Sequence, residues 1–429
     1  MSVAAGLLPM GIRAHPLLEV VYRDFEREEL RWCLLRAEAD AENPRGDIDL
    51  LVQADRLGAV RRILYQRGFV VIPARGYGPH VFFLRYDQAS DRWIKLDVVT
   101  RLAFGRWHQL ESGAEGPCLE RRRPAGAAFV PDRDDAFWTL LLHALADTGG
   151  ISPDHRRGLE ELAPGASVTG PLARVAEVAA PRGWGPARFL ECVERADWPA
   201  LEEQARTLER TWERRLGRAA RARRLTNLAS RRLLGRLLFL TRRRGLSVAL
   251  LAPDGAGKST LAEGVLASSY FPARSIYMGL RGGRGGGVHI PGLGLARNLA
   301  TQWKRYLSGC SHRFRGRLVI FDRYTYDALL PPPRPLGAAG KARRWLLARA
   351  CPPPNLAVVL DAPAEELYRR KGEHGVAVLE QQRRRYLGLS SRLPRSVVID
   401  ASLDAEEVRR RVMGVIWETY AQRLRGRRG

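Results

Sequence analysis

The sequence predicts an α/β protein. Its C-terminal half is expected to be a three-layer α/β/α domain with a parallel sheet, preceded by an α+β domain with a helical tail. In the C-terminal half, apolar runs typical of buried strands at 247–251, 318–321, 356–360 and 397–399 are separated by helical segments such as 364–371. In the N-terminal half, a helix, a strand and a helix are followed by three strand patterns in succession.

Length and composition favour more than one folded domain. The chain has 429 residues, and its 45% hydrophobic content is typical of globular proteins. We predict an α+β domain over residues 1–204, an arginine-rich helical connector over 205–245 and the parallel α/β domain over 246–429. An amphipathic helix near 132–146 should open the helical tail of the first domain.

The elements of the N-terminal half follow from periodicity and turn residues. Apolar residues at helical spacing predict helices at 18–37 and 57–67, and Gly68 occupies the position where glycine commonly ends a helix. Alternating and β-branched runs predict strands at 48–52, 70–72, 80–85 and 93–99.

Positive charge is concentrated in the connector. The formal net charge is +25, and residues 205–244 hold fourteen arginines against Glu209 and Glu213, which gives 14 − 2 = +12. A helix of this kind is either a solvated link between domains or a surface for nucleic acid or an anionic membrane. Only five lysines accompany the arginines of the whole chain, so a general arginine bias explains part of the charge.

Cysteine usage and hydropathy predict a cytoplasmic protein. The five cysteines are far apart and form no CxxC pair, which is typical of free thiols in a reducing compartment. The longest apolar patch, 233–240, is interrupted by Gly235 and Arg236 and is too short to span a bilayer.

A phosphate-binding motif follows the first strand of the C-terminal half. Residues 252–260 match G-x-x-x-x-G-K-[ST] except that Ala252 replaces the first glycine. In this motif backbone amides and a helix N-terminus surround phosphate oxygens, lysine reaches the outer phosphates and the hydroxyl binds Mg²⁺. Lys258 and Ser259 take the last two roles. The predicted ATP-binding residues are Asp254, Gly255, Ala256, Gly257, Lys258, Ser259 and Thr260.

This motif, followed downstream by Phe-Asp-Arg-Tyr at 321–324, resembles the thymidylate kinase family of nucleoside-monophosphate kinases. The resemblance covers roughly residues 246–415. It implies ATP and Mg²⁺ as cofactors, with Asp254 near the acceptor, Asp322 near the metal and the transferring phosphate, and Arg323 on the acceptor or transferred phosphate. Phosphoryl transfer requires such positioning and cationic stabilisation.

A basic helix end further along is similar to the arginine-bearing lid of that family. Leu360-Asp361-Ala362-Pro363 is followed by the cations Arg369, Arg370 and Lys371, and Arg370 is the predicted catalytic residue among them. The alternative to a catalytic lid is an ordinary solvent-exposed helix end in an arginine-rich chain. Residues 277–280, Tyr-Met-Gly-Leu, stand where that family has its acceptor loop, so the acceptor stays unidentified.

Paired carboxylates mark the first half. Asp47 and Asp49 share one face of a strand because alternate residues do, and Asp97 lies on a later strand. Three converging carboxylates suit two Mg²⁺ ions about 3.5–4 Å apart. The constellation resembles the polymerase-β-like nucleotidyltransferase fold over roughly residues 17–205. An inactive domain of that fold, or a strand ending in surface aspartates, is the alternative.

These motifs predict a cytoplasmic, ATP- and Mg²⁺-dependent phosphotransferase fused behind a nucleotidyltransferase-like domain. Its partners would be ATP and an unidentified phosphate acceptor. Two alternatives remain open at this point. One is a regulatory NTPase that contacts nucleic acid through the arginine-rich connector. The other is a kinase that acts at a membrane surface on a glycan or lipid precursor.

Overall fold

The structure is a computed structural model that describes residues 13–35, 46–72, 77–234, 245–279, 293–330, 335–372 and 374–425. The chain divides into two compact units. The first comprises Met1–Arg85 and Ile94–Gly235, and the second comprises Tyr86–Trp93 and Arg236–Gly429. Within the described ranges, every helix is too short or too polar to cross a bilayer.

The first unit is built on a mixed sheet with strand order β1-β2-β5-β4-β3. Strand β2 runs parallel to β5, while β1 is antiparallel to β2, and β3 to β4. Two helices, α1 (Pro16–Arg27) and α2 (Leu57–Gln66), share one apolar core with this sheet. The strands are β1 (Trp32–Leu34), β2 (Asp47–Val52), β3 (Val70–Ile72), β4 (His80–Asp87) and β5 (Arg92–Val99).

The helix predicted over 18–37 is wrong in its second half. Helix α1 ends at Arg27, and β1 follows. Glu29 takes φ +51°, a left-handed conformation that a helix cannot continue through. The next apolar residues, Trp32–Leu34, are all buried and pair with β2, so sheet pairing overrides their helical spacing. Residues 36 and 37 lie outside the described residues.

The rest of the first unit is helical apart from two small hairpins. One hairpin, β6 and β7, and helix α3 precede the other, β8 and β9, and five helices follow. Their bounds are β6 (Ala103–Phe104), β7 (Leu110–Glu111), α3 (Glu115–Glu120), β8 (Arg123–Ala125), β9 (Ala128–Val130), α4 (Arg133–His143), α5 (Pro153–Leu162), α6 (Pro171–Ala179), α7 (Pro186–Glu194) and α8 (Trp198–Ala229).

Helix α8 contains most of the predicted connector. Its inner side, with Leu201, Leu208 and Trp212, is buried in the core of the first unit. Gly217 interrupts the helix with φ +66°. The arginine-rich stretch up to Ala229 is therefore an integral helix of this unit. Most of its arginines are exposed, while the half-buried Arg223 donates to Gln109 O. Contact with nucleic acid or a membrane stays a prediction, and residues 235–244 lie outside the described part of the chain.

The second unit is built on a parallel sheet with strand order β11-β12-β10-β13-β14, in which every neighbouring pair is parallel. The four predicted strands are confirmed. The sequence patterns did not predict β11, because it is an edge strand of half-buried and exposed residues rather than an apolar run. The strands are β10 (Ser247–Leu251), β11 (Ala273–Tyr277), β12 (Leu318–Asp322), β13 (Leu356–Asp361) and β14 (Ser396–Asp400).

Helices cover both faces of this sheet, which confirms the predicted three layers. One face forms a core with Tyr306 of α10 and with Tyr386 and Leu389 of α13. The helices α9 and α14 pack on each other and on the sheet. The bounds are α9 (Lys258–Ser268), α10 (Leu293–Phe314), α11 (Ala338–Ala348), α12 (Ala364–Lys371), α13 (Val376–Ser390) and α14 (Ala405–Arg425).

The early segment Tyr86–Trp93 completes the second unit. The Trp93 ring packs edge-on against Trp417, with ring centroids 5.2 Å apart, and its indole N–H donates to Ser268 O at 2.8 Å. The guanidinium of Arg409, 9% exposed, binds both carboxylate oxygens of Asp91. An eight-residue segment thus supplies an aromatic and an ionic contact to α14.

Candidate active site

The phosphate-binding motif forms the turn between β10 and α9, as predicted. Gly255 and Gly257 have φ of +89° and +77°, which side chains rarely adopt. A Cβ at Gly255 would also lie 2.8 Å from Leu367 O on α12. Ala252 stands where the motif has its first glycine, and it has no positive φ. The alanine is therefore tolerated, while the glycine at 255 is required on two grounds.

Lys258 is the first residue of α9 and is 9% exposed. Its Nζ donates to the loop carbonyls of Pro253 at 2.7 Å and Ala252 at 3.0 Å, and lies 3.9 Å from Asp254 Oδ1. Burial, and then the nearby Arg323 guanidinium, lower the pKa of Lys258 to about 8. The amine is thus held among acceptors, where an incoming phosphate would stabilise its charge.

Arg323 follows β12 and is held between two carboxylates. Its Nη2 donates to Asp254, and its Nη1 lies 3.4 Å from Asp327 Oδ2 and 3.5 Å from the hydroxyl of Tyr386. Burial lowers the Arg323 pKa, but Asp327 and Asp254 outweigh it and the pKa is raised. Its φ of +66° is strained for a residue with a side chain. Backbone strain of this kind is found at functional sites, where the surrounding contacts hold the residue in position.

Asp322 is the last residue of β12, in register with Leu250 at the end of β10. Its Oδ1 is buried, with no hydrogen-bond partner among the described residues. An orphaned carboxylate oxygen costs free energy unless it gains a cation or a donor. Ser259 and Thr260 are exposed at the start of α9. Carboxylate and hydroxyl oxygens are ligands that Mg²⁺ prefers, so Asp322 and Ser259 fit the predicted metal.

Asp327 and Tyr386 belong to the site although the sequence analysis did not find them. Tyr386 donates from its hydroxyl to Asp327 Oδ1 at 3.2 Å, and Asp327 is in turn bound by Arg323. Burial raises the Asp327 pKa, while Arg323 and Tyr386 act in the opposite direction. The one available signal was that Asp327 follows Arg323 by four residues. Nothing in the sequence pointed to Tyr386 on a helix 59 residues later.

The predicted lid residue Arg370 is not brought to the motif by any contact within the described chain. It lies in the last turn of α12, where its Nη2 donates to Glu366 at 2.6 Å. Another arginine holds the end of a neighbouring strand, because Arg383 binds both oxygens of Asp361 at 2.6 and 3.0 Å. The backbone of α12, rather than Arg370, reaches the phosphate loop, through the approach of Leu367 O to Gly255.

The predicted carboxylates of the first unit lie on adjacent strands. Asp49 of β2 is in register with Asp97 of β5, and Asp47 is in register with Lys95. Two of the three carboxylates, Asp49 and Asp97, are therefore neighbours on adjacent strands, while Asp47 lies opposite a lysine. In the part of the chain that the structure describes, no group of three or more His, Cys, Asp or Glu could hold a metal ion. The metal role of Asp47, Asp49 and Asp97 stays a prediction.

The chain has a slight structural likeness to two solved kinase structures. No family model and no curated protein matches it. A solved structure of thymidylate kinase from Candida albicans is 18% identical, covers 40% of this chain and 91% of its own, and has a TM-score of 0.33. Deoxyadenosine kinase from M. mycoides with bound dATP is 12% identical, covers 39% and 97%, and has a TM-score of 0.29. A likeness this slight says nothing about activity.

Proposed function

We propose that the second unit is an ATP- and Mg²⁺-dependent phosphotransferase, similar in chemistry to thymidylate kinase. One observation carries the proposal. The buried Lys258, the clamped Arg323 and the orphaned oxygen of Asp322 all lie at the carboxyl ends of β10 and β12. Ligands of parallel α/β sheets bind at that edge. Two cations, Lys258 and Arg323, can stabilise the charge of a transferring phosphoryl group beside the phosphate-binding loop. The unpartnered oxygen of Asp322 can bind the Mg²⁺ that such a transfer requires.

Each residue of the candidate site has a separate role in the phosphoryl transfer. The amides of 254–260 bind the β- and γ-phosphates at the start of α9, and Lys258 leaves its loop carbonyls to contact them. Ser259 and Asp322 would hold Mg²⁺, which shields the phosphate charge. Arg323, fixed by Asp327, meets the equatorial oxygens or the acceptor. The acceptor oxygen gains the γ-phosphoryl group and ADP leaves.

The edge next to Asp322 indicates the kind of acceptor. Met278 N donates to the backbone carbonyl of Asp322 at 2.8 Å, so the end of β11 lies beside Asp322. Tyr277 is 44% exposed there, and the guanidinium of Arg305 lies 5.5 Å from its ring centre. An exposed ring with a cation suits an acceptor that has a ring and an anionic group. A nucleoside monophosphate meets both requirements.

Phosphoryl transfer from γ-labelled ATP to a panel of nucleosides, nucleoside monophosphates and sugars tests this function. We expect labelled product with at least one nucleoside monophosphate. Lys258→Ala should lower the rate about 100-fold or more, because it removes a cation from the transferring phosphate. Lys341→Ala on α11 is the matched control, since that lysine is exposed, and it should leave the rate unchanged. Equal rates in both variants would refute the kinase assignment.

The Mg²⁺ requirement provides a separate test of Asp322. Asp322→Asn keeps the shape of the side chain but removes its charge, so the Mg²⁺ concentration for half-maximal rate should rise about tenfold or more. Glu365→Gln, an exposed carboxylate on α12, should not change it. Initial rates measured over a Mg²⁺ titration give both values. An unchanged requirement in Asp322→Asn would remove this residue from the metal site.

A further inference from the structure

The acidic cluster of the first unit contains basic partners on the same strands. In the parallel pair of β2 and β5, Asp47 faces Lys95 across the ladder and Asp49 faces Asp97. His80 on β4 reaches Asp97 from the other side of β5. Three carboxylates, one ammonium group and one imidazole therefore meet on one sheet. In a metal-binding cluster of three carboxylates, by contrast, cations from solution balance the negative charge.

Lys95 is fixed in place rather than loosely paired at the surface. Its side chain is 16% exposed, and its Nζ binds Asp47 Oδ2. The same Nζ lies 4.2 Å from the centre of the Phe82 ring on β4, where the face of an aromatic ring attracts a cation. A carboxylate and a ring thus hold the ammonium group from two directions, and its charge stays beside the carboxylate of Asp47.

His80 occupies Asp97 in the same way. Its Nδ1 lies 2.8 and 3.0 Å from the two oxygens of Asp97, so the ring N–H donates to the carboxylate. Asp97 is 8% exposed, which leaves little of it open to solvent. The ring of His108 packs at 4.4 Å from that of His80 and keeps it in position. Both oxygens that a bridging metal would need therefore already face a donor.

These contacts do not fit the metal pair that the nucleotidyltransferase resemblance implies. Two divalent ions bridged by Asp47, Asp49 and Asp97 would use the oxygens that Lys95 and His80 occupy. An ammonium group a few ångströms from a divalent ion repels it, and a hydrogen-bonded carboxylate must first be released. We propose that Lys95 and His80 take the place of metal ions in the first unit, so that its carboxylate cluster binds no divalent cation.

One consequence is a division of metal dependence between the units. The second unit has an orphaned carboxylate oxygen at Asp322, whereas in the first unit the Lys95 ammonium group contacts Asp47 and the His80 ring N–H contacts Asp97. Any Mg²⁺ effect on the protein then arises at Asp322. Nucleotidyl transfer by two metal ions is excluded for the first unit under this proposal, whatever the acceptor of the second unit is.

Mn²⁺ binding, followed by electron paramagnetic resonance, tests the proposal on the full chain. The measurements use the double variant Lys258→Ala with Asp322→Asn, which removes the proposed phosphate and metal ligands of the second unit. In this background we expect no Mn²⁺ bound up to about 1 mM, far above the range of a tight carboxylate site. Bound Mn²⁺ that disappears on adding Asp97→Asn would overturn the proposal. This arm needs no substitution at Lys95 or His80.

The second arm removes the proposed substitutes for the metal. Lys95→Met with His80→Leu removes both hydrogen-bond donors and frees Asp47 and Asp97, so we expect at least tenfold tighter Mn²⁺ binding, lost again with Asp97→Asn. Lys341→Ala with His374→Ala is the matched control for the loss of a lysine and a histidine and should gain nothing. Circular dichroism checks folding of the variant. A folded variant without a gain would show that these residues do not exclude metal, and would overturn the proposal.

Discussion

Lys258 is a positive charge kept in a place that disfavours it. Its pKa is lowered to about 8, first by burial and then by Arg323, so the ligand-free amine is protonated below pH 8 and loses its proton above it. Phosphate binding needs the protonated form. The affinity for ATP should therefore be constant below pH 8 and fall as pH rises, by up to about tenfold per unit.

Fluorescence titration of the protein with an ATP analogue between pH 6.5 and 9.5 checks this dependence. Lys258→Arg is the control, because arginine keeps its proton throughout that range. Its affinity should be lower at neutral pH but flat across the series. A wild-type affinity for the ATP analogue that does not change up to pH 9.5 would show that the Lys258 amine stays protonated. Burial would then not lower its pKa.

Gly255 is under two separate constraints, and each predicts a cost for alanine. The φ of +89° costs a residue with a side chain about 1–2 kcal/mol, and the added Cβ would meet Leu367 O at 2.8 Å. Gly255→Ala should lower the melting temperature and weaken ATP binding together. Gly388→Ala, within α13 and with open space around its Cβ position, should instead stabilise by about 0.5–1 kcal/mol. Calorimetric melting curves compare the two.

At the residue level, the sequence could predict groups carried by one continuous motif. Gly255, Lys258 and Ser259 are fixed by spacing along the turn, and Asp322 and Arg323 were predicted from the Phe-Asp-Arg-Tyr motif through its resemblance to a kinase family. The pair Asp327 and Tyr386 could not be predicted, because the tyrosine comes from a distant helix and its identity alone does not reveal a buried carboxylate partner. Long-range hydrogen bonds depend on packing that a pattern of residues does not encode.

At the scale of elements, α8 shows how an arginine-rich helix is anchored. Trp212 is 1% exposed and packs with its ring 5.6 Å from that of Phe104. Trp212→Ala should destabilise the first unit by about 3–5 kcal/mol, since it leaves a large cavity. Leu225→Ala, 65% exposed on the same helix, should change stability by less than about 0.5 kcal/mol. Urea unfolding of both variants gives the comparison, and a mild effect at Trp212 would contradict the anchoring.

A run of apolar residues determined which strands of the second unit could be predicted, and the Val-Val-Ile run of β14 sufficed although that edge strand is partly exposed. Strands β10, β12 and β13 are buried throughout or nearly so, and their apolar runs are therefore plain in the sequence. The edge strand β11 carries Arg274 and exposed positions, so its pattern resembles a loop. Strand β1 is only three residues long, and its helical spacing continues that of α1, so only the sheet distinguishes it.

For the whole molecule, the sequence predicted two folded domains but not their composition. The predicted boundaries fall near 204 and 245, whereas the units divide near 235 and the second also contains Tyr86–Trp93. Helical periodicity does not reveal that α8 packs its inner side into the first core. Nor does a turn between two strands reveal that Trp93 and Asp91 have their partners on α14.

The ion pair of Asp91 and Arg409 should matter to the stability of the second unit. Asp91→Ala leaves the nearly buried guanidinium of Arg409 with Glu406 as its remaining carboxylate partner and removes the acceptor for the Tyr86 hydroxyl. We expect a loss of about 3 kcal/mol in its free energy of unfolding. Asp154→Ala, which removes an exposed pair with Arg157, is the control and should cost less than 1 kcal/mol by the usual estimate of about 0–1 kcal/mol. Tryptophan fluorescence during urea unfolding reports both, and equal losses would contradict the assignment.

The two-part second unit also has a consequence for the order of synthesis. Asp91 leaves the ribosome 318 residues before Arg409, an interval of roughly 15–60 s at usual elongation rates. Until α14 has been made, Trp93 lacks its Trp417 partner as well. The second unit therefore cannot close while the chain is still growing through its strands, and a message that ends before α14 would leave the early segment without the partners that the finished protein gives it.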